Sequence, residues 1–219
     1  KTDSEGNGLA GAVFDVLDSQ GNVVNTLPLT TDQNGRVQME DLAPGDYRFV
    51  ETQAPAGYIL NDTPVAFTID DAAEGQPQTI EAGTLVNYQG RAVWIKTDEA
   101  GNGLQGATFA VLDQDGNEVA TTASGKDGHV QIAGLAPGNY QFKETKAPES
   151  YVINDQRVSF TIDPVSTGAP EILHLGNFVN FKGSEKLVKT AEDGTPQANV
   201  TFDVLDDQDN QINNEPLST

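Results

Sequence analysis

Two short segments carry an acidic residue where an alternating strand would place an apolar one. In YQFKET (residues 140–145) a period of two puts Tyr140, Phe142 and Glu144 on one face and Gln141, Lys143 and Thr145 on the other. YRFVET (residues 47–52) sets Glu51 behind Tyr47 and Phe49 in the same way. A carboxylate turned toward a core must be paired, hydrogen-bonded or protonated. The bland alternative is a strand end at which the Glu emerges into water, and the same parity in two places weighs against it. Two other polar residues also sit in apolar settings. Lys96 closes AVWIK and Asn180 lies in NFVNF; their counterparts are Lys1 and, in TLVNY, Asn87. Parity alone does not settle their faces. Taken singly, such a Lys reads as a solvated edge charge and such an Asn as a turn residue.

Other candidates for chemistry are weaker. Asp113, Asp115 and Asn117 have part of the spacing of a calcium loop, but the remaining ligands and the bidentate Glu are out of place, so a polar β-turn is the better reading. His129 and His174 are isolated and offer neither metal-ligand spacing nor a triad. GNGLQG lacks the Lys and the helix of a phosphate loop. The acidic pair Asp70 and Asp71 falls in a loop with no cleft implied. No cofactor, no metal and no enzyme activity on a substrate is expected.

The elements that must position these residues come from a repeat. KTDSEGNGLAGAVFDVLDSQGN from Lys1 returns as KTDEAGNGLQGATFAVLDQDGN from Lys96, and more loosely as KTAEDGTPQANVTFDVLDDQDN from Lys189. GRVQMEDLAPGDYRFVETQAPAGY returns as GHVQIAGLAPGNYQFKETKAPESY, and LVNYQG as FVNFKG. The expected domains are therefore repeat 1 at 1–90, repeat 2 at 91–183 and the incomplete start of repeat 3 at 184–219. The short spacing between copies implies that they follow one another end to end. AVFDVLD, ATFAVLD and VTFDVLD alternate and are followed by polar turns. Asn34-Gly35 and Asp127-Gly128 read as hairpin turns, and Pro44-Gly45 and Pro137-Gly138 mark the next corners. No window shows helical periodicity. The fold class is all-β: tandem antiparallel β-sandwich domains of immunoglobulin-like size, with six to eight short strands each.

Composition bounds the rest. The 219 residues are 37% hydrophobic, which is folded-protein composition, and no apolar run is long enough to span a membrane. The formal charge of −21 argues against nucleic acid and anionic membranes as partners, since both reward Lys and Arg. Without Cys there are no disulfides and no thiol chemistry, so small extracellular domains would need another covalent staple. Lacking an initiator Met, a signal peptide or an anchor, the sequence is expected to be a piece of something longer.

A Lys closing the first strand, GLxGAxFxVLD, LxPGxY, the box YxFxETxAPxGY and a last strand ending VN together resemble the Cna B-type (SpaA-type, prealbumin-like) repeats of Gram-positive surface adhesins and pilins. The resemblance covers both full copies and the start of the third. It implies a reverse immunoglobulin-like sandwich tied by a spontaneous Lys–Asn isopeptide bond with a Glu assisting. That assigns Lys1, Glu51 and Asn87 to the first repeat and Lys96, Glu144 and Asn180 to the second. Lys189 becomes the nucleophile of a third, its partner outside this sequence. The chemistry is coherent. An amine attacks only when neutral, a dry pocket favours that state, and a carboxyl beside an amide can carry protons to departing ammonia. Trp94, Tyr140, Phe142 and Phe178 are the candidate apolar wall. One departure is Ser150, where the first copy has Gly57. The resemblance also implies an extracellular stalk or spacer on a bacterial cell surface, anchored to the wall through a region outside this sequence. Its partners would be neighbouring repeats, with any host ligand bound by another domain. The alternatives are a ligand-binding adhesin domain and a sortase-polymerised pilin subunit, the latter without its LPxTG-type signal here.

Overall fold

The computed structural model describes residues 1–71, 79–170, 172–184, 186–213 and 215–219. Among them are fifteen strands and no helix. They fall into two compact units, Lys1–Phe181 and Lys182–Thr219. The first unit holds both full repeats. Repeat 1 contributes β1 (Val13–Asp18), β2 (Leu29–Thr30), β3 (Gly45–Gln53), β4 (Leu60–Asn61) and β5 (Val65–Ile69). Repeat 2 contributes β6 (Gly90–Thr97), β7 (Thr108–Asp113), β8 (Glu118–Ala123), β9 (His129–Leu135), β10 (Gly138–Lys146), β11 (Arg157–Ile162), β12 (Val165–Ser166) and β13 (Ile172–Val179). In the second unit β14 (Thr201–Phe202) pairs antiparallel with β15 (Leu217–Ser218).

Repeat 2 is a β-sandwich of a four-stranded sheet, β11-β10-β7-β8, and a three-stranded sheet, β13-β6-β9. Alternation decides which side chains enter the space between them. On β6 the inward positions are Ala92, Trp94 and Lys96; on β10 they are Tyr140, Phe142 and Glu144. Phe109, Val111, Val130, Ile162 and Phe178 complete the core. Repeat 1 repeats the four-stranded sheet as β2-β1-β3-β5, around Ala12, Phe14 and Leu85.

Two pairings differ from an all-antiparallel expectation. The last strand of repeat 2, β13, runs parallel to the first, β6, with Phe178 opposite Lys96, because the chain crosses from one sheet to the other before β13. Repeat 1 has the same contact as a single parallel bridge between Thr2 and Val86. The second parallel pair joins the repeats: β12 lies along β4, with Leu60 N–H donating to the Pro164 carbonyl (2.9 Å) and Asp62 N–H to that of Ser166 (3.1 Å).

The turn at Asp127-Gly128 also departs from expectation. It is not a hairpin within one sheet: β8 pairs with β7 whereas β9 pairs with β6, so the turn hands the chain from one layer to the other. Its glycine has φ +78° and abuts the Lys96 backbone so closely that a Cβ would collide with the Lys96 carbonyl oxygen. Lys96 N–H donates to the Gly128 carbonyl at 2.7 Å. Gly35 stands against Lys1 in the same way, with the Lys1 main-chain nitrogen donating to its carbonyl at 2.6 Å. The turn therefore serves to seat the lysine.

The turn after the ETxAP box keeps its shape in both copies although its residue changes. Gly57 has φ +84° and Ser150 φ +67°. A Cβ at such an angle costs about 1–2 kcal/mol, of which glycine's extra unfolded-state entropy offsets about 0.5–1 kcal/mol. Ser150→Gly is thus expected to stabilise repeat 2 by about 0.5–1 kcal/mol, and Gly57→Ser to destabilise repeat 1 by as much. Denaturant titration followed by fluorescence of Trp94, the one Trp in the sequence, reads the first change; an unchanged or lowered midpoint would contradict it.

Candidate functional site

Lys96 sits at the end of β6 with its side chain in the core, fully buried. Its Nζ donates to the Phe178 carbonyl on β13 at 2.7 Å and lies 5.1 Å from the centre of the Phe178 ring. Glu144 enters the same space from β10, and its Oε2 accepts from the Asn180 side-chain Nδ2 (2.9 Å) and from Asn154 N–H (2.7 Å). Asn180 directly follows β13 and is fully buried; its N–H donates to the Thr97 carbonyl at 3.0 Å, which keeps it against β6. Its Nδ2 also donates to the Val152 carbonyl at 2.9 Å. Both protons of the amide nitrogen are thereby used. Among the described residues, Asn180 Oδ1 and Glu144 Oε1 are buried without a hydrogen-bond partner.

Repeat 1 brings together the corresponding three. Lys1 Nζ lies 3.3 Å from Glu51 Oε1 with both side chains fully buried. Asn87 Nδ2 donates to Glu51 Oε1 (3.1 Å), and Asn61 N–H to Glu51 Oε2 (2.8 Å). The readings of these Lys as edge charges and of the Asn as turn residues are therefore corrected: the flanking strands bury them all. Lys189 is different. Its carbonyl accepts from Gln197 N–H at 2.8 Å, as that of Lys96 does from Leu104 N–H at 2.8 Å, but its side chain is exposed.

The electrostatics follow from burial. Loss of water pushes the Lys96 amine down from 10.5 to about 8, against the opposing charge of Glu144. Burial lowers Lys1 too, with Glu51 again opposing. The wall around the amine is aromatic. Trp94 stacks on Phe142 at 4.2 Å, and Phe178 meets Phe142 edge-on at 5.4 Å. Tyr140 stacks on Phe160 instead, and its hydroxyl donates to the Ala136 carbonyl. Phe109, at the centre of the cluster, touches Trp94, Phe142 and Phe178 and was not foreseen.

Two residues escaped the sequence reading: Asn61 and Asn154, which hold the glutamates. The signal was the match of YILND to YVIND at the same place in each copy. The weaker motifs resolve as local structure. The Asp113 carboxylate accepts from the N–H groups of Asp115 and Asn117 and from the Asn117 side chain, a turn that Asp18 and Asn22 repeat. His129 and His174 are exposed on the outer face of the three-stranded sheet.

Comparison with known proteins defines the class. The family described as the SpaA prealbumin-like fold domain matches residues 1–83 and 90–172, most of the chain. The chain belongs to this family. Serine-aspartate repeat-containing protein D of Staphylococcus aureus (strain Newman) is 29% identical over 168 residues, covering 68% of this chain. Serine-aspartate repeat-containing protein F of Staphylococcus epidermidis is 29% identical over 170 residues, again covering 68%. The chain spans 12% and 9% of their respective lengths. Among solved structures, the Bacillus anthracis TIE protein matches all of this chain and 40% of its own at 24% identity and a TM-score of 0.50, a likeness of fold. A streptococcal ancillary pilin matches 80% of this chain and 60% of its own at 29% identity and a TM-score of 0.35.

The Lys96 shift has a sign that can be tested in Asn180→Ala, which leaves the amine free. Between about pH 8 and 10.5 the unfolded chain holds a proton on Lys96 that the folded chain does not. Folding then releases a proton, so the stability of repeat 2 should rise with pH across this window and fall as pH drops through it. Denaturant midpoints read by Trp94 fluorescence at several pH values check this; a flat profile would place the amine in water.

Proposed function

We propose that this chain is a segment of a bacterial surface stalk in which each complete repeat closes an isopeptide bond between its first and last strands. The observation that carries this reading is the burial of Lys96, Glu144 and Asn180 together where β6 and β13 run side by side, with the Glu144 carboxylate on the amide nitrogen that would leave. In the proposed reaction the neutral Lys96 Nζ attacks Asn180 Cγ. The new C–N bond forms, the Cγ–Nδ2 bond breaks, and one Nζ proton passes by way of Glu144 to Nδ2, which departs as ammonia. Folding supplies the rate by holding amine and amide in place. The reaction is a single event within one chain, not turnover.

Parallel terminal strands pulled from opposite ends are loaded in shear, and a covalent tie between them would take the force directly. The bond encloses 84 positions in repeat 2 and 86 in repeat 1. By analogy with a disulfide loop it is worth roughly 4–5 kcal/mol. The staphylococcal relatives and the family both accord with a surface-protein setting, and the wall anchor would lie elsewhere in the full protein. The same closed loops would serve a polymerised pilin subunit equally well.

The test is intact mass. Wild-type chain should weigh less than its sequence by one ammonia for each bond, and Lys96→Ala, Asn180→Ala or Glu144→Gln should each restore one ammonia. Stretched from its ends, wild-type repeat 2 should extend only by the few residues outside the loop, whereas Lys96→Ala should unravel throughout. A wild-type chain at its full sequence mass would end the proposal.

A further inference from the structure

We infer that Asn154, and Asn61 in the first repeat, is the positioning residue that sets the glutamate and the reactive asparagine in register; this rests on the isopeptide reading above. Each makes three bonds at once. The Asn154 N–H donates to Glu144 Oε2 (2.7 Å), its Nδ2 donates to the carbonyl of Val179 (2.9 Å), and its Oδ1 accepts from Gln156 N–H (3.0 Å). Asn61 does the same with Glu51 Oε2 (2.8 Å), the carbonyl of Val86 (2.8 Å) and Thr63 N–H (3.0 Å). Val179 and Val86 immediately precede Asn180 and Asn87. One residue therefore grips the carboxylate with its backbone and the peptide unit before the electrophile with its side chain.

The residue type follows from those bonds. The side chain must donate to a carbonyl and accept from an N–H two residues on, which Asn does and Asp, acceptor-only when ionised, does not. The change Asn154→Asp would keep the Gln156 contact and the backbone grip on Glu144 but would set a carboxylate oxygen against the Val179 carbonyl. Asn154→Ala would lose both side-chain contacts. The hydrogen bonds of Asn154 go to Glu144, Val179 and Gln156; it acts through Glu144 and through the placement of β13. The joint between repeats uses the same strand from its other edge: the N–H groups of Leu60 and Asp62, on either side of Asn61, face repeat 2.

The full 219-residue chain is synthesised in a cell-free system and quenched in denaturant at timed intervals. Mass spectrometry then follows ammonia loss from the peptides carrying Lys96 and Asn180 in wild type, Asn154→Ala and Asn154→Asp. Trp94 fluorescence reports that repeat 2 has folded in each. Both variants should close the bond about ten- to a hundredfold more slowly than wild type, the scale on which small misplacements of reacting groups act. In Asn154→Ala, which adds no charge, the pH at which the rate is half-maximal should stay near that of wild type, because Lys96 keeps its apolar walls and faces the same carboxylate, Glu144. A merely structural role predicts the reverse, a looser pocket that admits water and moves that midpoint toward an ordinary lysine. If either variant folds and links at the wild-type rate, or if the Asn154→Ala midpoint moves, the inference is overturned while the isopeptide reading stands. If Asn154→Ala does not fold, Asn154→Asp alone decides the matter. A wild-type chain that never loses ammonia overturns both.

Discussion

The second repeat is organised around one costly placement: an amine, a carboxyl and an amide held out of water between two sheets. Each would be destabilising alone, and the surrounding structure accounts for how they are kept. The Phe178 carbonyl takes the amine, Asn154 N–H takes the carboxylate, and the Val152 carbonyl takes the second proton of the amide. The neighbouring elements follow from this. A glycine corner presses against the lysine backbone, four aromatic rings exclude solvent, and the last strand lies parallel to the first so that residues at opposite ends of the repeat become neighbours.

The two complete repeats show that the same residues can hold the amine in two ways. In both, the carboxylate accepts from the asparagine amide; in the first Lys1 Nζ also lies against that carboxylate, whereas in the second Lys96 Nζ lies on a main-chain carbonyl. Both are arrangements in which the amine has an oxygen beside it and the apolar ring of Phe14 or Phe178 close by. A proton acceptor and an apolar wall are thus constant, while the partner of the nitrogen is not. Where the third copy departs in sequence it keeps the backbone: Asn199 adopts φ +60° where Gly11 and Gly106 stand at +84° and +88°, a conformation Asn tolerates better than most residues.

Much of this was legible from residues. Alternation in YQFKET and YRFVET placed both glutamates inside, because a strand's parity is rigid and the two aromatic residues before each glutamate fix it. The faces of Lys96 and Asn180 were not legible by that means, since what decides them is the facing sheet rather than their own strand. The turn at Asp127-Gly128 misled because the dipeptide fixes only local φ; whether the next strand returns to the same sheet is a tertiary matter. Asn61 and Asn154 were passed over for a related reason. In YILND and YVIND an Asn before Asp reads as loop chemistry, and the carboxylate that makes it specific lies ten residues earlier in sequence, on another strand.

The ladder between β4 and β12 has a consequence for cutting the molecule apart. At the ordinary boundary near Gly90 the chain looks separable, yet the N–H groups of Leu60 and Asp62 donate to carbonyls of the second repeat. A first repeat isolated there would present a short, unsatisfied strand edge to solvent. Such edges recruit other strands, so the excised repeat would be prone to self-association that the intact pair avoids.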